Sequence, residues 1–111
     1  MSIVICDRDA VIACAGIPKK EYTDKKLSDE FEGIIENRSL YTADGKDDVP
    51  VIDGGSCCVS CAMPIITEGD ITGCVASVFS REGDVAQLMN AELETKLIQT
   101  AAGFLGRQLE S

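Results

Sequence analysis

Residues 71–80 are apolar at both sets of alternating positions, and this constrains the fold more than any other stretch. Alternate side chains of an extended strand point to opposite faces, so both faces of this strand must be covered. We therefore predict a strand in the middle of a sheet, with packed layers on both sides. One predicted face carries Ile71, Val75 and Phe79, and the other carries Cys74, Ala76 and Val78.

Other segments supply neighbours for this strand. Two apolar runs, residues 3–6 and 10–16, flank the polar Asp7-Arg8-Asp9 and predict a β-hairpin. Residues 59–66 predict a further strand, in which Pro64 indicates a sheet edge or a strand end because proline lacks an amide hydrogen. Weaker strand character is present at residues 40–42 and 51–52.

Two helices complete the predicted order of elements. Ser28 can cap a helix that runs to about Arg38, with Phe31, Ile34 and Ile35 on one face. The order of strand, strand, helix, weak strand, strand, strand and long helix predicts an α+β domain, in which helices pack on an antiparallel sheet. With 111 residues, 45% of them apolar, we expect a single domain over residues 1–111.

Residues 85–109 predict the long C-terminal helix. Its apolar positions fill an arc about half of the helix circumference wide, which is more than one sheet face needs. We expect part of this arc to meet a second helix in a homo-oligomer, and the alternative is a single wide core face. The residues predicted for the dimer interface are Leu93, Leu97, Ala101, Phe104 and Leu105.

The charge balance limits the partners of the chain. Nineteen acidic and ten basic residues give a formal charge of −9, which repels nucleic acid, so we expect no direct DNA binding by this chain. Its apolar runs are far shorter than the roughly 20 residues of a membrane span. The N-terminus has no basic region or cleavage site typical of a secretory signal, and we expect a cytoplasmic protein.

The residue types also exclude several kinds of catalysis. The sequence has no histidine, which excludes Ser-His-Asp and Cys-His nucleophiles and histidine metal ligands. Gly54-Gly55 has neither the lysine nor the third glycine of a phosphate-binding loop, and Lys19-Lys20 is interpreted as a solvated face. We therefore expect no enzymatic activity and find no cofactor motif.

One cluster of side chains in the sequence could bind a metal or carry redox chemistry, and it consists of Cys57, Cys58 and Cys61. A zinc or iron-sulfur site would need a fourth ligand from elsewhere in the fold, and a thioredoxin-like pair should open a helix rather than a strand. In a regular strand Cys57 and Cys61 would share one face and Cys58 the other. The favoured interpretation is small residues that line a core or a pocket, with a metal or redox site as alternatives.

Several short motifs, in the same order along most of the chain, resemble the C-terminal domain of the stage V sporulation protein T family. The C-terminal motif is the most specific of them, and residues 40–61 match poorly. The motifs are Asp7-Arg8-Asp9, Ala15-Gly16, Lys19-Lys20-Glu21-Tyr22, Ser28-Asp29, Arg38-Ser39, Thr100-Ala101-Ala102-Gly103-Phe104-Leu105 and Arg107-Gln108.

This resemblance implies the sensor half of a sporulation transcription regulator with a GAF-type domain. It implies a GAF/PAS-like antiparallel sheet of about five strands and a long C-terminal helix. It also implies an effector cavity between the sheet and its helices. The expected ligand-binding residues are Tyr22, Arg38, Ser39, Cys57 and Cys61.

Two family features are absent from the sequence, a basic AbrB-type DNA-binding module and the helix that precedes the first strand. The chain is therefore expected to be a stand-alone relative or a truncated domain. The leading hypothesis is an unidentified small-molecule effector that biases how the C-terminal helix packs in a homodimer. The alternatives are a purely structural dimerisation domain and a cysteine-based redox or metal sensor.

Overall fold

Five of the six predicted strands form one antiparallel sheet in the computed structural model, which describes residues 2–43, 48–80 and 91–110. The weak strand predicted at residues 51–52 does not form, and Ile52 makes only an isolated bridge with Leu27. The order of the strands across the sheet is β2-β1-β5-β4-β3. Within the described residues the strands are β1 (Ser2–Cys6), β2 (Val11–Ala15), β3 (Tyr41–Thr42), β4 (Cys57–Thr67) and β5 (Asp70–Ser80), and the helices are α1 (Lys19–Tyr22), α2 (Asp29–Glu36) and α3 (Ala91–Glu110).

β5 is the central strand, as its two apolar sides predict. It pairs with β1 on one side and with β4 on the other. Cys74, Ala76 and Val78 pack on one face of the sheet, and Val75 packs on the opposite face. Ile71 was predicted to share the face of Val75, which is wrong. The pairing with β4 shifts register beside it, so Ile71 packs with the core that contains Cys74.

Each face of the sheet carries its own apolar core. The first core lies under α1, α2 and the segment before β4. Its fully buried members from outside the sheet are Tyr22, Leu27, Phe31 and Val51. We call it the α2-side core. The second core lies under α3, where Ile98 and Ala102 pack against Cys61, Ile65 and Val75. We call it the α3-side core. The sheet is thus covered on both faces.

The predicted β1–β2 hairpin forms, and β4 and β5 form a second hairpin. The β1–β2 turn is stabilised by the Asp7 carboxylate, which accepts hydrogen bonds from the backbone amides of Asp9 (2.8 Å) and Ala10 (2.7 Å). The β4–β5 turn has positive φ angles at Glu68 (52°) and Gly69 (86°), which is the backbone twist that a two-residue hairpin turn requires. This second turn holds the long β4–β5 pair in register.

Pro64 occupies a position that is locally at the sheet edge, as predicted. On one side it lies opposite Cys74 of β5. On the other side β3 pairs with Cys61 and Ala62 and does not reach Pro64. The missing amide hydrogen of proline therefore costs no ladder hydrogen bond there.

The helix predicted over residues 28–38 forms as α2, with Ser28 as its N-cap. The Ser28 hydroxyl accepts a hydrogen bond from the Phe31 amide (3.1 Å) and donates one to the Pro50 carbonyl (2.6 Å), so it joins the helix to the segment before β4. The helix ends two residues early because Arg38 has a positive φ of 60°. The short α1 was not predicted, since its four residues are too few to show a period.

The C-terminal helix α3 forms as predicted, and residues 85–90 of that prediction lie outside the described part of the chain. Gly106 allows the helix to approach β4 closely, because a methyl group there would lie 2.6 Å from the Ile66 carbonyl oxygen. The Ser77 hydroxyl, buried in β5, donates a hydrogen bond to the Glu94 carboxylate. None of the helices in the described ranges is both long and apolar enough to span a membrane.

Two glycine substitutions test this packing. We expect Gly73→Ala to lower the free energy of unfolding by about 1–3 kcal/mol, because its methyl group would overlap the Cys6 carbonyl oxygen of β1. Gly33→Ala, in an open position of α2, should instead raise it by about 0.5–1 kcal/mol. Chemical denaturation measures both, and equal effects of the two substitutions would contradict the β1–β5 contact.

Candidate functional site

A cavity lies beside Tyr22, at the side of the sheet that carries α1 and α2. It has a volume of about 590 Å³ and is open to solvent. It lies between α1 with its following turn and the turn that precedes β4. The lining residues are Lys20, Glu21, Tyr22, Lys25, Ile52, Asp53, Gly54, Gly55 and Ser56. We call this space the Tyr22 cavity.

Tyr22 connects the cavity to the sheet. Its side chain is fully buried in the α2-side core, and its hydroxyl accepts a hydrogen bond from the backbone amide of Cys57 (3.0 Å) at the start of β4. Burial raises the pKa of the Tyr22 hydroxyl, and the neighbouring Cys57 side chain raises it further. Tyr22 is therefore a neutral phenol that ties α1 to β4.

The two glycines of the cavity wall are required by the backbone. Gly54 has a φ of 78°, which glycine adopts without strain. A methyl group on Gly55 would lie 3.1 Å from the Tyr22 hydroxyl and 2.8 Å from the Ile52 side chain. Glycine at both positions therefore lets the turn pass directly over the Tyr22 hydroxyl.

The other predicted ligand-binding residues are not gathered at this cavity. Cys57 lies behind the Tyr22 hydroxyl and contributes its amide. Arg38 is exposed, and its guanidinium donates a hydrogen bond to the Gly69 carbonyl (2.5 Å) in the β4–β5 turn. Ser39 is exposed beside it. Of the five predicted residues, the structure brings together Tyr22 and Cys57.

Cys61 lies on the opposite face of the sheet from Cys57, so the prediction of a shared face is wrong. The register of β4 shifts between Val59 and Cys61, which is a β-bulge at Ser60. The extra residue moves Cys61 into the α3-side core, while Cys57 packs in the α2-side core. The Cys61 thiol lies 3.9 Å from the Thr95 hydroxyl of α3.

Three of the six thiols, those of Cys6, Cys61 and Cys74, are buried in ways that disfavour reaction. Cys6 and Cys74 oppose each other across β1 and β5, and burial raises the pKa of both thiols, that of Cys74 to about 12. Burial also raises the pKa of the Cys61 thiol, and the Glu94 carboxylate adds to it. Across the described ranges, no group of three or more potential ligands is arranged to hold a metal ion.

The outer side of α3 presents the second candidate site. Leu93, Leu97 and Phe104 are 50%, 45% and 52% exposed. At 3.6 residues per turn they fall within about 40° of one another, and the buried Ile98 and Ala102 lie about 140° away. The three exposed residues therefore form an apolar stripe that faces away from the sheet. We call it the α3 stripe.

The predicted dimer-interface residues divide between the two sides of α3. Leu93, Leu97 and Phe104 form the α3 stripe, whereas Ala101 and Leu105 are partly buried against the α3-side core. The alternative of a single wide core face is wrong, because the sheet uses one part of the apolar arc and leaves the other part exposed. An exposed apolar row on a surface helix is typical of an interaction site.

A second, smaller cavity lies beside α2 and the β1–β2 turn. Its volume is about 250 Å³, which is below the usual size of a ligand pocket. Three of its five lining residues are acidic. The lining residues are Arg8, Asp9, Glu32, Ile35 and Glu36.

Sequence reasoning missed most of the Tyr22 cavity wall. Lys20 and Lys25 were visible as members of a charged segment, and Gly54-Gly55 as a turn signal, but no local pattern shows that the two segments meet. Their meeting depends on Tyr22, which is buried between them. The sequence signal that could have indicated this site is a single tyrosine within an otherwise charged segment, because an aromatic side chain there is expected to be buried.

Comparison with known proteins assigns the class of this α+β chain. The sequence model of the family described as "Stage V sporulation protein T C-terminal, transcription factor" matches residues 1–110. The chain therefore belongs to this family of transcription-factor C-terminal domains.

A curated relative is stage V sporulation protein T of Bacillus subtilis (strain 168), which is 38% identical to this chain over 114 residues. The alignment covers 98% of this chain and 59% of the relative, so the chain spans about three fifths of the relative's length.

Thiol reactivity tests the burial of the cysteines. A raised pKa lowers the thiolate fraction at a given pH, so we expect Cys6, Cys61 and Cys74 to react with iodoacetamide at about pH 8 roughly tenfold or more slowly than the half-buried Cys14. Mass spectrometry of timed samples measures this, and all six should react alike in guanidinium chloride. Rapid labelling of Cys61 in the native chain would instead favour a thiol sensor.

Proposed function

We propose that this chain is the effector-binding and dimerising domain of a sporulation transcription regulator. In this proposal it folds as a single GAF-like domain, has no catalytic role, and pairs with a second copy through α3. The family match, the Tyr22 cavity and the α3 stripe support the proposal. DNA contact is assigned to other parts of the regulator, because a formal charge of −9 opposes binding to phosphates.

The α3 stripe is the observation that carries this proposal. Burial of a large apolar side chain stabilises a protein or a complex by about 1.5–3 kcal/mol relative to exposure in water. Leu93, Leu97 and Phe104 lie in one row along a 20-residue helix, so a second helix can bury all three at once. A homodimer repeats the same row on both partners, which gives a self-complementary contact.

β4 offers a physical route between the cavity and the stripe. It begins at Cys57, which donates to the Tyr22 hydroxyl, and continues through Cys61 and Ile65 in the α3-side core. Near its end the Ile66 carbonyl touches Gly106 of α3. An effector that favours one position of the turn over Tyr22 would thereby favour one packing of α3, which shifts the population of dimer arrangements.

Substitution in the stripe tests the dimer. We expect Leu97→Glu to raise the dimer dissociation constant about 100-fold or more, because it removes apolar burial and places a charge in the interface. Lys96→Glu is the matched control, since Lys96 is exposed on the same turn and is not part of the stripe. Analytical ultracentrifugation measures both variants. A dimer weakened equally by both, or unaffected by Leu97→Glu, would contradict the stripe as the interface.

Ligand binding is tested by thermal unfolding with a panel of small metabolites. A ligand at ten times its dissociation constant stabilises the folded state by about 1.4 kcal/mol, so we expect the melting temperature to rise by roughly 5 °C or more. Lys20→Trp should abolish this rise by filling the Tyr22 cavity, and Lys19→Trp should not, because Lys19 does not line it. If no metabolite of the panel raises the melting temperature, the chain is a purely structural dimerisation domain.

A further inference from the structure

We propose that the ligand of the Tyr22 cavity is a small metabolite with an oxyanion group, a phosphate or a carboxylate, which binds between Lys20 and Lys25. This inference rests on the proposed function, because it specifies the chemical class of the effector. Both lysines line the cavity wall, one from α1 and one from the turn that follows it.

The distribution of charge favours an anion at this place. The chain has ten basic residues, and four of them, Lys19, Lys20, Lys25 and Lys26, fall within eight residues of sequence. Only two acidic residues, Glu21 and Asp24, lie among them, although the whole chain carries a formal charge of −9. An anion is therefore repelled by most of the surface and attracted to this segment.

Lys20 and Lys25 are available to a ligand, whereas Lys26 is engaged. The Lys26 ammonium group forms ion pairs with Glu32 (2.9 Å) and Asp29 (3.8 Å) of α2. Within the described part of the chain, Lys20 and Lys25 take part in no such pair with a carboxylate. Their side chains are exposed and both line the cavity, so each ammonium group is accessible to an oxyanion without the loss of an ion pair.

The backbone holds the two lysines in place on a rigid base. Lys25 accepts a hydrogen bond from the Val11 amide of β2 (3.0 Å) and donates one to the Tyr22 carbonyl (3.1 Å). Lys20 lies within α1, two residues before the buried Tyr22. Because both backbones are anchored to the sheet or the core, ligand binding has to order the two lysine side chains but little of the backbone.

The size of the cavity and the rest of its wall indicate more than a bare ion. A volume of about 590 Å³ lies within the usual range for metabolite pockets, about 300–1,000 Å³. The carboxylates of Glu21 and Asp53 and the Ser56 hydroxyl also line it. These groups accept hydrogen bonds from hydroxyl or amino groups, so the ligand should carry such donors beside its oxyanion. Lysine binds phosphate and carboxylate alike as a point charge.

Binding experiments on the whole chain test this inference with two related probes, glycerol 3-phosphate and glycerate. We expect saturable binding of at least one of them by calorimetry, in buffers matched in ionic strength with chloride. The probe that binds more tightly distinguishes a phosphate site from a carboxylate site. The double variant Lys20→Gln with Lys25→Gln should weaken that binding about tenfold or more.

A matched control separates a specific site from general charge. The double variant Lys19→Gln with Lys96→Gln also removes two positive charges, but neither lysine lines the cavity. It should keep the affinity within about twofold, because exposed charges are largely screened by salt. Equal loss in both double variants would overturn the proposal. Circular dichroism checks folding, and if the cavity double variant fails to fold, Lys20→Gln alone is compared with Lys19→Gln.

The remaining outcomes distinguish this inference from the proposed function. If neither oxyanion probe binds but a neutral or cationic metabolite raises the melting temperature, the oxyanion assignment is overturned and the effector-binding role stands. If no metabolite of any charge binds, the oxyanion assignment and the effector-binding role are both overturned. If a probe binds and the cavity variant leaves its affinity unchanged, the ligand binds elsewhere and the site assignment is overturned.

Discussion

The pairing of β4 with β5 is the contact on which the rest of this structure depends. The two strands, eleven residues each, lie side by side near the middle of the sheet and present apolar side chains to both faces. Without that pairing neither core could close, since these two strands contribute buried side chains to both cores. The short turn at Glu68 and Gly69 keeps the pair in register, and Arg38 links this turn to the end of α2.

The β-bulge at Ser60 changes which residues of β4 face each layer. Cys57 and Val59 before it pack in the α2-side core, and Cys61 after it packs under α3. One strand therefore contacts both layers, so a change on one face can alter packing on the other. The Tyr22 hydroxyl and Gly106 mark the two ends of this connection. In the proposed regulator, a cavity on one face and a dimer stripe on the other face would be coupled through a single rigid element.

Much of the fold was predictable because its signals are local. Three such signals each act over a few residues, and all three predictions are confirmed. They are the period of two in residues 71–80, the polar turn after β1 and the cap at Ser28. The site was less predictable. Arg38 and Ser39 were expected at the ligand site from resemblance, but the left-handed backbone at Arg38 directs its guanidinium to the β4–β5 turn. Cys61 was misplaced because a bulge leaves no clear mark in a run of small residues.

The sequence alone determined the order of the five strands and of α2 and α3, the central position of β5, the absence of histidine chemistry and the acidity of the chain. It determined these because periodicity, capping and composition are properties of neighbouring residues. Only the tertiary structure decided which part of the α3 arc meets the sheet, which face each cysteine occupies, and that Lys20 and Lys25 share a cavity with Gly54 and Gly55. These depend on how segments separated by about thirty residues pack together, and no local pattern encodes that meeting.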